Sequence, residues 1–342
     1  IMHIDQPSVL VTGGAGYIGS HLIHHLIENQ FKLVVVDNLS RGTKDLLPAS
    51  IPLVVGDVGD TTLIRQVIKR YKINSVVHLA GSIVVPDSVT FPLEYYQNNV
   101  ENSRRLIKTC IESKVNNFVF ASTAAVYGSS NTGLLDEKSV TYPISPYGKT
   151  KLTTEWIIED SAAAHKLNYV ILRFFNVAGA DAKLRTGQVG KNNTHLIKVA
   201  CEVATGTRKN LEIFGVNYPT PDGTCIRDYV HVSDLASALT ESIYYLKNGG
   251  KSTILNCGYG VGTSVNQVVE SINHIQQKPL NVIHRDRRQG DVSKIVADIS
   301  LIKKTLKWKT KFANITAIIN SALQWEKSDT RKILENKILE NS

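Results

Sequence analysis

From Ser8 onward, apolar runs of strand length alternate with segments of helical period, and no other feature of this chain restricts its fold so tightly. The strand-like runs are SVLVTG, KLVVVDN, IPLVVGD, SVVHLAG, NFVFAS and NYVILRFFN; between them lie helical stretches such as YIGSHLIHHLIENQ, TTLIRQVIKRY and NNVENSRRLIKTCIES. Parallel neighbours need crossovers, and those crossovers are right-handed, so the pattern predicts an α/β fold with a Rossmann-like, doubly wound parallel sheet. After about Gly179 the rhythm gives way to Gly/Pro-rich loops such as VNYPTPDGTCIRD, which predicts a smaller C-terminal substrate-binding domain. The expected division is 1–180 for the cofactor-binding part, with returning elements from about 229–258, then 181–330, then a tail over 331–342. The tail carries KILENKILEN, a five-residue repeat that suits neither helix nor strand, and it reads as frayed and polar.

At 342 residues the chain is long enough to bury cores for both parts. The net charge of +9 is scattered, with no aromatic-rich basic stripe, which argues against nucleic acid; a phosphate-bearing small molecule accounts for part of the surplus. No apolar run is long enough to span a bilayer and IMHIDQPSVLVTGG lacks a signal-peptide layout, so a cytoplasmic location without membrane attachment is expected. Cys110, Cys201, Cys225 and Cys257 lie far apart, with no C-x-x-C pair and no histidines at ligand spacing. They are expected to be buried small apolar residues, and no metal is expected.

VLVTGGAGYIGSHLI places Gly13, Gly14, Gly16 and Gly19 between a strand and a helix, the arrangement that lets a backbone approach a pyrophosphate at a helix N-terminus. Asp37 closes the second strand where a carboxylate accepts the adenosine ribose hydroxyls, and its charge favours NAD over NADP, although Arg41 and Lys44 follow closely. Asp57, closing LVVGD, suits either the adenine edge or a turn.

In SPYGKTKLTTEWII, Tyr147 and Lys151 are four apart and share a helix face. Alone, the pair is better read as a solvated helix surface, since Tyr-x-x-x-Lys is common. As a general base near pH 7, a phenol needs about 4 kcal/mol of preferential stabilisation of its anion, and Lys151 is the cation the sequence offers. Thr123, at the carboxyl end of a parallel strand, lies where ligands of such sheets bind; a core-edge threonine is the competing reading.

With the glycine loop, FASTAAVYG and Tyr147-x-x-x-Lys151 together, the chain resembles the extended short-chain dehydrogenase/reductase superfamily, and within it the UDP-glucose (UDP-galactose) 4-epimerase family. The likeness runs from Val9 to about Trp325 and includes NNV at Asn98, RFFN from Arg173 to Asn176, CIRDYVHVSDLA from Cys225 and RRQGDVSKIVAD from Arg287. It implies a tightly held NAD and reversible hydride transfer at C4 of a UDP-hexose, with Thr123, Tyr147 and Lys151 catalytic. The cofactor would be held by Gly13, Gly16, Tyr17, Ile18, Gly19, Asp37, Asn38, Asp57, Val58, Leu79, Ala80, Asn98, Tyr147, Lys151 and Phe174. The UDP-sugar would lie on Thr123, Tyr147, Asn176, His195, Leu196, Glu212, Phe214, Arg227, Arg288 and Asp291, with Ile295 gating sugar width.

Two positions depart from the family pattern: His195 replaces a common asparagine, and Phe174 replaces a tyrosine. The related 4,6-dehydratases carry an acidic pair after the strand-end Ser/Thr, where this chain has Ala124 and Ala125, so elimination is disfavoured. The alternatives are 4-epimerisation of another UDP-sugar (N-acetylglucosamine, glucuronate or arabinose) or a non-catalytic NAD-binding regulator. The resemblance also implies a homodimer through the apolar faces of 98–111 and 147–158.

Overall fold

Buried Val9, Leu10 and Val11 show why the first strand lies at the centre: residues on both sides of its pleat are apolar, so both faces must be covered. The computed structural model describes residues 7–128, 133–190, 193–288 and 291–340. The first half contains β1 (Ser8–Thr12), β2 (Lys32–Asp37), β3 (Leu53–Val55), β4 (Ser75–His78), β5 (Asn117–Thr123), β6 (Gly133–Leu135), β7 (Asn168–Phe174) and β8 (Asn176–Ala178). β9 (Leu211–Phe214), β10 (Ile226–His231), β11 (Thr253–Cys257), β12 (Gly262–Ser264), β13 (Val282–Arg285) and β14 (Lys294–Ala297) follow. The helices are α1 (Tyr17–Glu28), α2 (Thr61–Tyr71), α3 (Val85–Thr90), α4 (Pro92–Tyr96), α5 (Asn102–Glu112), α6 (Pro146–Ala164), α7 (Leu196–Ala204), α8 (Val232–Lys247), α9 (Val265–Gln276), α10 (Ser300–Thr305), α11 (Ile315–Lys327) and α12 (Asp329–Glu340). A π-helical turn, Gln97–Glu101, joins α4 to α5.

Seven strands form a parallel sheet in the order β11-β7-β5-β4-β1-β2-β3, the doubly wound arrangement expected from the sequence. The seventh strand, β11, comes from the returning segment. One apolar layer joins Val9, Val11, Ala121 and Leu172 to Leu22 and Leu26 of α1 and Leu235 and Leu239 of α8. The other joins Leu10, Phe118, Phe120 and Ile171 to Ile64 of α2, Leu106 of α5 and Ile158 of α6. A second sheet, β12-β10-β14-β6, with β8 also paired to β10, lies beyond the carboxyl ends of β5 and β7. β13 and β9 form a separate parallel pair. All four cysteines are buried and unpaired.

The tail differs from its expectation. Residues 329–340 are helical, Leu334 is buried against Leu46, Ala180 and Trp325, and Arg331 pairs with Glu326 at 2.8 Å. A five-residue repeat hides this because the partners are remote in sequence.

Candidate active site

Gly13 adopts φ +70°, and a Cβ there would lie 2.6 Å from the Ala80 amide nitrogen, so the loop after β1 presses against the end of β4. A Cβ on Gly19 would fall 2.3 Å from the Gly13 carbonyl oxygen, so α1 can start this close only with glycine. At Gly16 an added Cβ would meet only the Gly13 carbonyl oxygen, at 3.4 Å, and α1 has no side-chain cap. Its first amides are therefore left facing open space, which fits a dinucleotide pyrophosphate. Tyr17 turns away from that face and donates to the Gly179 carbonyl at 2.6 Å.

Asp37, 7% exposed, accepts from the amides of Ala15 (3.0 Å) and Leu39 (2.8 Å), one on each oxygen. Each oxygen keeps a lone pair for a ribose hydroxyl. Burial pushes its carboxyl pKa up, and the two amide donors oppose that. Arg41 is exposed and pairs with Asp87 at 3.2 Å. Asp57 accepts from Gly59 N–H (2.7 Å) and Asn102 Nδ2 (2.9 Å) and lies beside Asn38. Val58 is buried in the α2 layer, while Ile18 and Leu79 pack on the α1 layer.

Ser145 caps α6 by accepting from the Gly148 amide at 3.1 Å, and Pro146 fixes the first helical position, which sets Tyr147 at the site's edge. Burial raises the Tyr147 pKa to about 12, opposed by the hydrogen bond from Thr123. The sequence suggested that Lys151 lowers this phenol's pKa. Instead the ammonium donates to the Ala121 carbonyl at 2.9 Å and lies 4.9 Å from the Phe120 ring centre, and burial lowers its own pKa to about 8 despite Glu155. Desolvation dominates the phenol's shift, with Thr123 the group that opposes it.

Beyond this constellation, Phe174 ends β7 in register with Thr123, and Asn176 opens β8 beside Tyr229. His195 is the N-cap residue of α7, followed by Leu196. Arg227, on β10, donates to the Val292 carbonyl at 2.7 Å, lies 3.5 Å from Asp291 and pairs in register with Ile295. Half-buried Ile295 packs with Ala124, Tyr127 and Phe175. The Arg288 guanidinium sits 3.7 Å over the Phe214 ring. Glu212 is exposed and pairs with Arg285 at 2.7 Å. Asn98 donates to Ser82 Oγ at 2.9 Å.

Sequence reasoning missed Asn99, Gly81 and Glu155. Asn99, 3% exposed, ties the Ser82 amide (2.7 Å) to Thr150 of α6 (3.1 Å). A Cβ on Gly81 would sit 3.5 Å from Lys151 Nζ. Glu155, fully buried, accepts from Ser122 and grips Arg173 through Nε (3.1 Å) and Nη2 (2.7 Å). Glu155 stood out little in the sequence, since the buried side of α6 also holds Thr150, Lys151 and Thr154.

Proteins of known identity share this architecture. The UDP-glucose 4-epimerase of Azospirillum brasilense is 48% identical over 323 residues, covering 94% of this chain and 93% of that protein. The crystal structure of UDP-glucose 4-epimerase from Brucella ovis in complex with NAD superposes with a TM-score of 0.90 at 38% identity, over 93% of this chain and 97% of that one. The UDP-Glc/GlcNAc 4-epimerase from Campylobacter jejuni gives 0.83 at 40% identity, over 94% and 99%. The family model described as NAD dependent epimerase/dehydratase matches residues 9–258, which hold the glycine loop, Thr123, Tyr147 and Lys151, and the chain belongs to that family.

Proposed function

We propose that this protein is an NAD-dependent UDP-glucose 4-epimerase that inverts C4 of a UDP-hexose through a transient 4-ketose. The observation that carries the reading is the meeting of Thr123 and Tyr147 at the end of β5, with alanine at 124 and 125 where an elimination would need carboxylates. Bound NAD supplies the oxidant and then the reductant at C4, so no net redox change results. The chain's own residues move the proton and hold the nucleotide. Tyr147 takes the 4-hydroxyl proton and returns it on the opposite face, and Thr123 orients the phenol through its hydrogen bond. Arg227 and Arg288 offer planar donor forks suited to the diphosphate, assisted by Asn176, His195 and Asp291.

On this reading, residues 1–180 with 229–258 bind NAD and 181–330 bind the UDP-sugar. Among the described residues no helix is long and apolar enough to cross a membrane, which suits the cytoplasmic location that belongs to the same reading. Exposed Leu93, Tyr96 and Trp156 on or beside α4 and α6 form a face suited to a second copy, making the expected assembly a homodimer. The test is UDP-glucose labelled with deuterium at C4: the product UDP-galactose should keep its label, with at most substoichiometric NADH absorbance. Steady NADH accumulation with a released keto product would replace the epimerase reading with a dehydrogenase.

A further inference from the structure

The α12 helix plays no part in the chemistry above, yet it touches three parts of the molecule that handle different portions of the ligands. Arg331 Nη2 reaches Glu326 Oε1 at 2.8 Å, at the end of α11. Glu335 Oε1 accepts from the Gly190 amide at 3.1 Å, in the loop that leads toward His195. On the cofactor side, Lys337 reaches Asp45 at 3.3 Å, and Leu334 packs with Leu46.

Glu326 passes the connection to α7. Its other oxygen, Oε2, accepts from Lys198 Nζ at 2.6 Å, and Lys198 lies in the first turn of α7, three residues after His195. One turn further on, Glu202 accepts from Asn193 at 3.1 Å and pairs with Arg208 at 3.1 Å. The Glu326, Lys198 and Arg331 side chains are 1%, 5% and 11% exposed. Removing Arg331 takes the cation from Glu326 Oε1 while Oε2 keeps Lys198, so the buried carboxylate and Lys198 must readjust. A cavity of about 30 Å³ borders Asn176, His195, Leu196, Lys198, Trp325 and Glu326, beside the first turn of α7.

We propose that α12 is an intramolecular latch: through Arg331, Glu326 and Lys198 it positions the N-terminus of α7, with His195 and Leu196, for the UDP moiety. The inference rests on the UDP-sugar reading above. Arg331 is a positioning residue and touches no ligand.

The test uses full-length protein carrying its NAD. Arg331→Met should raise KM for UDP-glucose and Kd for UDP, measured by calorimetry, at least fivefold, with kcat and bound NAD within twofold of the parent. Arg331→Lys should recover most of the affinity. KM and Kd within twofold of the parent in Arg331→Met would show that α12 merely covers the core. Should that variant not fold, Glu335→Gln reads the same coupling: a threefold rise in Kd for UDP supports it and an unchanged Kd overturns it. A parent that neither binds UDP nor turns over UDP-glucose would refute the functional reading instead, so the two failures are distinct.

Discussion

Glu155→Ala is the perturbation whose cost the structure specifies most closely. The carboxylate is fully buried and holds Arg173, itself 4% exposed, through two N–H···O contacts of 3.1 and 2.7 Å. The other bonds of Arg173, to the Tyr127 hydroxyl (3.1 Å) and the Glu137 carbonyl (3.3 Å), supply no counter-charge. Truncation therefore strands a guanidinium in the interior, a loss of about 3–5 kcal/mol. Ser122 also loses its acceptor, which adds about 1 kcal/mol. Against a total stability of about 5–15 kcal/mol for a typical folded protein, this is a large fraction. Arg65→Ala serves as control, because the Arg65–Glu112 pair is solvent-exposed and is expected to contribute about 0–1 kcal/mol. Urea unfolding followed by tryptophan fluorescence should place the Glu155→Ala midpoint far below both parent and control. A loss of less than about 1 kcal/mol, equal to the control, would refute the reasoning that Glu155 compensates a buried guanidinium.

Tyr147→Phe removes the proton acceptor while leaving the glycine loop intact, so turnover should fall by orders of magnitude with NAD retained; near-normal activity would remove Tyr147 from the mechanism. Lys151→Ala should impair turnover, because the ammonium that ties α6 to the Ala121 carbonyl of β5 is lost, and near-normal turnover would count against its role. Ile295→Ser should raise UDP-N-acetylglucosamine turnover relative to UDP-glucose by an amount worth about 1–3 kcal/mol, and a constant ratio would place the gate elsewhere. Burial lowers the pKa of both His78 and His21 to about 3. Such a base binds more protons unfolded than folded, so its stability is fully present above the unfolded pKa of about 6.5 and is lost as pH falls toward 3. From pH 7 to 5 each should cost about 2 kcal/mol, offset by about 1 kcal/mol from Asp228, whose pKa burial raises to about 6. Urea midpoints at the two pH values test the sign, and a midpoint that rises on acidification would contradict it.

The long strands were legible because each is a continuous apolar run, and the glycine loop because its spacing carries the steric demand itself. The second sheet was not: Gly133–Leu135 and Gly262–Ser264 are three residues each, too short to show a period, and become strands only by pairing with remote β14 and β10. In the site, Thr123, Tyr147 and Lys151 could be read from local pattern, whereas Asn99 and Glu155 act through residues 17 to 51 positions away. The sign of the Tyr147 shift was illegible for a different reason. Four-residue spacing says that two side chains share a face, but not that Lys151 finds the Ala121 carbonyl or that the phenol is desolvated.

The in-register pairing of β5 with β7 matches Ser122 with Arg173 and Thr123 with Phe174. Successive strand residues point to opposite faces, so the ion-pair neighbours and the ligand-side pair are adjacent in sequence yet occupy different environments. A single-residue deletion within either strand would exchange the two sets wholesale, turning a charge toward the α1 layer and a hydroxyl or a phenyl ring toward Glu155. Length variation among descendants of this chain should therefore collect in the loops before Asn117 and Asn168, while the interiors of these two strands admit substitutions but neither insertions nor deletions.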